Sequence, residues 1–130
     1  TVRAAVRIAQ DEPQAAIGDL ERAMRLSPMD IRNWYQFTLM ARAHNLCGKH
    51  EEALACAAEA LRLRPNFPHT VIEQIVANAL AGRIDVAREL ATTYRAIQPN
   101  DRVSTYSPPH LSASSTLKYR EALRVAGLPE

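Results

Sequence analysis

The chain has 130 residues, 47% of them hydrophobic and only 5% aromatic, with a formal net charge of +2. That length and composition suit one core of closely packed helices and exclude an aromatic-rich sheet sandwich. Basic residues are interspersed with acidic ones, which excludes the basic stripe of a nucleic-acid binder, and no run approaches the about eighteen apolar residues of a membrane span.

Helices are predicted over 1–10, 13–27, 31–46, 50–64, 68–81 and 84–97, with a last one around 119–126. Thr1 to Gln10 align with only the second half of a helix, which implies a piece of a longer protein. Pro13 suits a first helical turn, where the missing N–H costs nothing. Asp30 and Asn66 are placed as N-caps of the third and fifth helices. Gly48 and Gly82 are placed at reversals that need a left-handed residue. Residues 100–115, with Pro108-Pro109 and several Ser and Thr, read as an extended loop. The last helix puts Tyr119, Ala122, Leu123 and Ala126 on one side, then stops at Gly127 before Leu128-Pro129-Glu130.

Residues 15–28 and 52–65 repeat one pattern, and a weaker third copy runs from Asp85 through Ala87, Ala91 and Ile97 to Pro99. The prolines at 28, 65 and 99 are 37 and 34 residues apart. A period of about 34 is that of stacked helix-turn-helix repeats. Repeat two carries Phe37, Met40-Ala41, Gly48, Ala53, Ala57, Ala60 and Pro65; repeat one carries Ala16, Leu20, Ala23 and Pro28. Repeat three carries Val71, Ile75, Gly82, Ala87, Ala91 and Pro99, but has Tyr94 and Gln74 where Ala and Leu are usual, a bulk expected to loosen the last pair. On these residues the chain resembles the tetratricopeptide repeat family. The resemblance implies an all-α fold of antiparallel helical hairpins stacked in a right-handed superhelix over 1–100, with a loop and capping helix over 101–130.

A narrower resemblance rests on Arg25-Leu26-Ser27-Pro28, Arg64-Pro65-Asn66-Phe67-Pro68, Gly82-Arg83-Ile84-Asp85 and the run from Tyr119 to Glu130. Together they are similar to the C-terminal tails of bacterial adenylate/guanylate cyclase-like multidomain regulators, and related repeats follow winged-helix regulators. This implies a non-catalytic, cytoplasmic module that binds a protein partner for an upstream catalytic or DNA-binding domain. The other reading is homo-oligomerisation, because class III cyclases build active sites between two catalytic domains. A third reading, small-ligand sensing, has no distinguishing residue.

In such a stack the first helix of each repeat lines a concave groove. Helical spacing puts Tyr35, Thr38, Arg42 and Asn45 on one side in repeat two, and His69, Ile72, Val76 and Ala79 at the matching places in repeat three. These are the candidate contacts for an extended peptide or partner helix. The carboxylate clamp of chaperone-tail binders is not expected, since Thr38, Arg42, Ile72 and Val76 supply one cation at most.

No cofactor, metal or catalytic site is expected. His44, Cys47, His50 and Cys56 are zinc-type donors, but the repeat places them at a turn, a core-facing position and a second helix; both cysteines are expected as free thiols. Glu51-Glu52 open a helix, where the dipole favours negative charge. Trp34 is assigned to the core, and Arg62 and Arg64 to the C-terminal dipole of their helix. The last helix is expected to fold back over repeat three or across the groove. In the second case the module would be self-inhibited, and deleting residues 101–130 would raise partner binding.

Overall fold

The computed structural model describes residues 2–130, and the regular elements among them are all helical, without a strand. The helices are α1 (Val2–Ala9), α2 (Pro13–Leu26), α3 (Asn33–Leu46), α4 (His50–Leu63), α5 (Pro68–Leu80), α6 (Ile84–Ile97) and α7 (Ala113–Val125). A 3-10 turn, Val103–Thr105, interrupts the loop before α7. The expected start of the first helix at residue 1 lies outside the described residues. Three-residue connections reverse the chain between α1 and α2, α3 and α4, and α5 and α6, and each of these pairs is packed together.

The turns explain the reversals. Gly48 and Gly82 adopt φ of 76° and 85°, the left-handed region that a Cβ makes costly. Pro13 and Pro68 begin α2 and α5, where a proline ring is pre-set for the helix. The N-cap expectations at Asp30 and Asn66 are overturned. The third helix begins only at Asn33, after a turn in which Asp30 accepts the Arg32 backbone N–H at 2.9 Å and holds its guanidinium. Asn66 is itself left-handed, with φ of 63°, and Phe67 occupies the cap position of α5. In the first connection the Asp30 side chain satisfies the loop, in the second Asn66 supplies the left-handed residue, and neither helix end has a side-chain cap.

Small residues let the hairpins approach. Ala41, Ala53, Ala57 and Ala77 form one buried cluster between α3, α4 and α5, and Ala4, Ile8, Ala16, Leu20 and Leu39 form another around α1 and α2. The largest cluster joins α5 and α6 to the C-terminal segment through Val71, Ile75, Ala87, Val103, Tyr119 and Leu123. Residues 101–130 therefore share a core with the third hairpin. Tyr94, expected to loosen that hairpin, is buried in the same cluster and donates its hydroxyl to Asp101. The aromatic ring fills the gap between α6 and the following loop, so bulk there tightens the packing.

Gly18 and Gly82 make a matched test. Gly18 lies inside α2, and an added Cβ would meet only the Arg22 guanidinium at 3.6 Å. Gly18→Ala is expected to stabilise the chain by about 0.5–1 kcal/mol, whereas Gly82→Ala, forced to a positive φ, should destabilise it by about 1 kcal/mol or more. Urea unfolding of the two variants against the parent checks the opposite signs.

Candidate functional site

The candidate groove residues converge on the face shared by α3 and α5, and most of that face is covered. Thr38, Arg42, Asn45, Ile72 and Val76 are buried, Ala79 and His69 are half-buried, and Tyr35 is exposed. The cover is the chain's own C-terminal segment. Arg42 donates through Nη1 to the Pro109 carbonyl at 3.2 Å, Leu111 packs against two of the core clusters, and α7 packs along α5. At its far end Ser112 and Ser115 donate to the Asp11 carboxylate at 2.7 and 3.2 Å, which ties α7 to the α1–α2 turn.

Beneath the cover lies a polar network built around Glu73, which is 0% exposed. Arg42, 4% exposed, donates through Nε to its Oε2 at 2.9 Å. Asn45 donates to Oε1 at 3.1 Å and to the Glu73 backbone carbonyl at 3.0 Å. The Tyr119 hydroxyl donates to the same Oε1 at 2.5 Å. Nearby, the Thr38 and Thr70 hydroxyls are 2.8 Å apart, and His50 Nδ1 is 2.9 Å from Asn45 Oδ1. Four hydrogen bonds from three side chains, converging on one buried carboxylate and its backbone carbonyl, offset the cost of dehydrating it.

The charges follow from this burial. Dehydration works against the Arg42 cation, but Glu73 beside it outweighs that and holds its pKa well above the ordinary value. Burial, and then the Glu73 charge, push Tyr119 well above the tyrosine range. Burial likewise lowers His44, His50 and His69 and raises Tyr94 and Tyr106. Cys47 and Cys56 are free thiols; burial pushes Cys56 up to about 11 and makes it unreactive. Among the described residues no cluster of three His, Cys, Asp or Glu side chains could hold a metal.

The seal is too strong to be a lid. Val103, Tyr119, Leu123 and Leu128 are all at least nine-tenths buried. At about 1.5–3 kcal/mol for each large apolar side chain, uncovering them costs on the order of 10 kcal/mol before the Glu73 hydrogen bond is counted. That is comparable to the whole stability of a domain this size, even after discounting for residual burial in the unfolded chain. The expected release by a partner is therefore replaced by a permanent cap, and deletion of 101–130 should unfold the chain instead of opening a site.

One part of the face stays open. A cleft of about 240 Å³ remains beside the crossing segment, lined by Tyr35, Thr38, Arg42, Phe67, His69 and Pro109 among others. Trp34, expected in the core, is only half-buried and belongs to a row of rings beside this cleft. Trp34 and Tyr35 are 5.7 Å apart, Trp34 and Phe67 4.6 Å, and Phe67 and His69 5.4 Å, all edge to face. Arg64 does not serve its helix terminus; its guanidinium lies 4.3 Å from the Trp34 ring centre and 4.8 Å from that of Phe67. Arg62 pairs with Glu59 instead. The sequence reading missed Phe67 as a lining residue, although an aromatic residue between two prolines was the available signal. Comparison with known protein families, with curated proteins and with solved structures finds no match.

Two expectations follow. Arg42→Met strands the Glu73 carboxylate and should cost about 3–5 kcal/mol, while adding Glu73→Gln, which keeps an acceptor for Asn45 and Tyr119 but removes the charge, should recover part of that loss. Denaturant unfolding of both variants checks the order. The second concerns pH. The raised tyrosines keep their protons in the folded chain, so above about pH 10 the unfolded chain loses protons first and stability falls, by up to about 1.4 kcal/mol per pH unit per tyrosine. The lowered histidines act at the other end: below about pH 6.5 the unfolded chain gains protons that the folded one refuses, and stability falls again. A plateau between these limits in melts across the pH range is the expected outcome, and Tyr119→Phe should soften the alkaline edge.

Proposed function

We propose that this chain is a tetratricopeptide-type protein-interaction module whose recognition surface is the open aromatic cleft at Tyr35, Phe67 and His69. The observation that carries the proposal is the manner in which the face already holds an extended segment. Arg42, on the face itself, donates to the Pro109 carbonyl, so a side chain grips a main-chain group beside a row of rings. A second extended strand laid alongside would meet the same kind of surface.

Size separates this reading from small-ligand sensing. The cleft, at about 240 Å³, falls below the roughly 300–1,000 Å³ of drug-sized sites and suits a side chain of a peptide instead. Burial lowers the pKa of His69, so the cleft favours an apolar residue or proline over an acidic anchor. In this proposal the module is the cytoplasmic regulatory tail of a larger signalling protein, in keeping with the cyclase-like resemblance of its sequence.

Trp34 is the only tryptophan and sits beside the cleft, so its emission reports occupancy directly. Peptides selected from a random library against the chain are expected to share a proline or aliphatic residue and to shift Trp34 emission. They should lose at least about tenfold in affinity, or about 1.4 kcal/mol, in the Tyr35→Ser/His69→Ser variant while its melting temperature is kept. Selected peptides that bind this variant as tightly as the parent would place recognition elsewhere.

A further inference from the structure

The most exposed large apolar side chains of the chain, apart from Val2, sit in the connection between α2 and α3. Leu26 is 86% exposed, Met29 92% and Ile31 73%. The second repeat treats the same positions differently. Thirty-seven residues on, Leu63 is half-buried, Asn66 replaces Met29, and Pro68 replaces Ile31 and is half-buried at the start of α5, next to the Phe67 ring that packs on Trp34. The first connection therefore carries apolar side chains that its own fold leaves uncovered.

Beside them runs a groove of about 430 Å³, with Met24, Pro28, Phe37 and Met40 in its lining and Glu21 and Arg25 also contributing. Met24 and Phe37 are half-buried, Glu21 and Arg25 exposed. Neither charge forms an ion pair with another described residue. Glu21 and Arg25 stand one helical turn apart on α2, with the small Ala23 between them.

We propose that this surface pairs with a second copy of the chain, α2 against α2 in an antiparallel two-fold arrangement centred midway between Glu21 and Arg25 on the face that carries them. A two-fold axis through that face sets Glu21 of each copy opposite Arg25 of its partner, so two charges unpaired in one chain become two reciprocal ion pairs. Leu26, Met29 and Ile31, exposed in the chain just beyond this face, supply further apolar area for the second copy to cover. The surface lies apart from the aromatic cleft, so its pairing stands independently of peptide recognition there.

Sedimentation velocity on the 130-residue chain from about 1 µM to about 300 µM tests it. A dimer that grows with concentration is expected, and Met29→Asp should abolish it. Glu21→Arg or Arg25→Glu alone should each weaken it at least about tenfold, because each creates two like-charge contacts. The combined reversal, Glu21→Arg with Arg25→Glu, should restore it to within about threefold of the parent. Tyr35→Ser/His69→Ser should leave it unchanged. All of these residues except half-buried His69 are exposed, and thermal melts confirm that each variant is folded. A chain that stays monomeric throughout overturns the proposal, as does a dimer indifferent to these substitutions; a dimer lost in the single reversals and not regained in the combined one overturns the two-fold register.

Discussion

The buried pair of Arg42 and Glu73 is the constraint on which the rest of the structure depends. A carboxylate with no exposure must be matched by donors from every side. Arg42 and Asn45 come from α3, Tyr119 from α7, and Arg42 reaches on to Pro109 in the segment between them. One charge thus fixes the register of α3 against α5 and the path of the last thirty residues over both. An apolar residue at position 73 would pack without specifying where Tyr119 and Pro109 must sit.

The same pair converts an inner helical face into a core. Stacked hairpins normally leave that face to a partner, and its polar side chains then stay wet. Here Thr38, Asn45 and Arg42 find partners within the chain, and the C-terminal segment supplies both the apolar cover and the last hydrogen bonds. What stays uncovered lies at the edges: the aromatic row at one end of the sealed face, and the connection between α2 and α3.

The helices were legible because their signals are local. Alanines at Ala53, Ala57 and Ala60, glycines at Gly48 and Gly82, and prolines at Pro13 and Pro68 report on contacts within a repeat or with its neighbour, and the structure follows them closely. The caps were misread because Asp30 bonds within its loop and Asn66 takes the left-handed position in the other, alternatives that spacing does not resolve. The groove was legible as a set of residues and not as a state. Tyr35, Thr38, Arg42, Asn45, His69, Ile72 and Val76 do share a face, but polar side chains at helical spacing look the same whether they meet water or a buried carboxylate. Glu73 held the missing signal: an acid flanked by Val71, Ile72 and Ile75 on an otherwise apolar helix needs a cation, and Arg42 stands one repeat earlier at the facing position.

The arrangement of arginines carries the functional argument a step further. Arg7, Arg22, Arg32, Arg42, Arg62, Arg83 and Arg124, seven of the sixteen basic residues, each hold a carboxylate nearby. Arg64 and Arg25 are outside these pairs. One lies over the Trp34 and Phe67 rings beside the open cleft, and the other lines the groove of the first hairpin. An exposed guanidinium gains little from a solvated ion pair and more where a partner excludes water around it. Of the arginines without a carboxylate partner among the described residues, these two adjoin apolar side chains that the fold leaves partly bare, so an incoming surface there would strengthen an interaction the isolated chain makes only weakly.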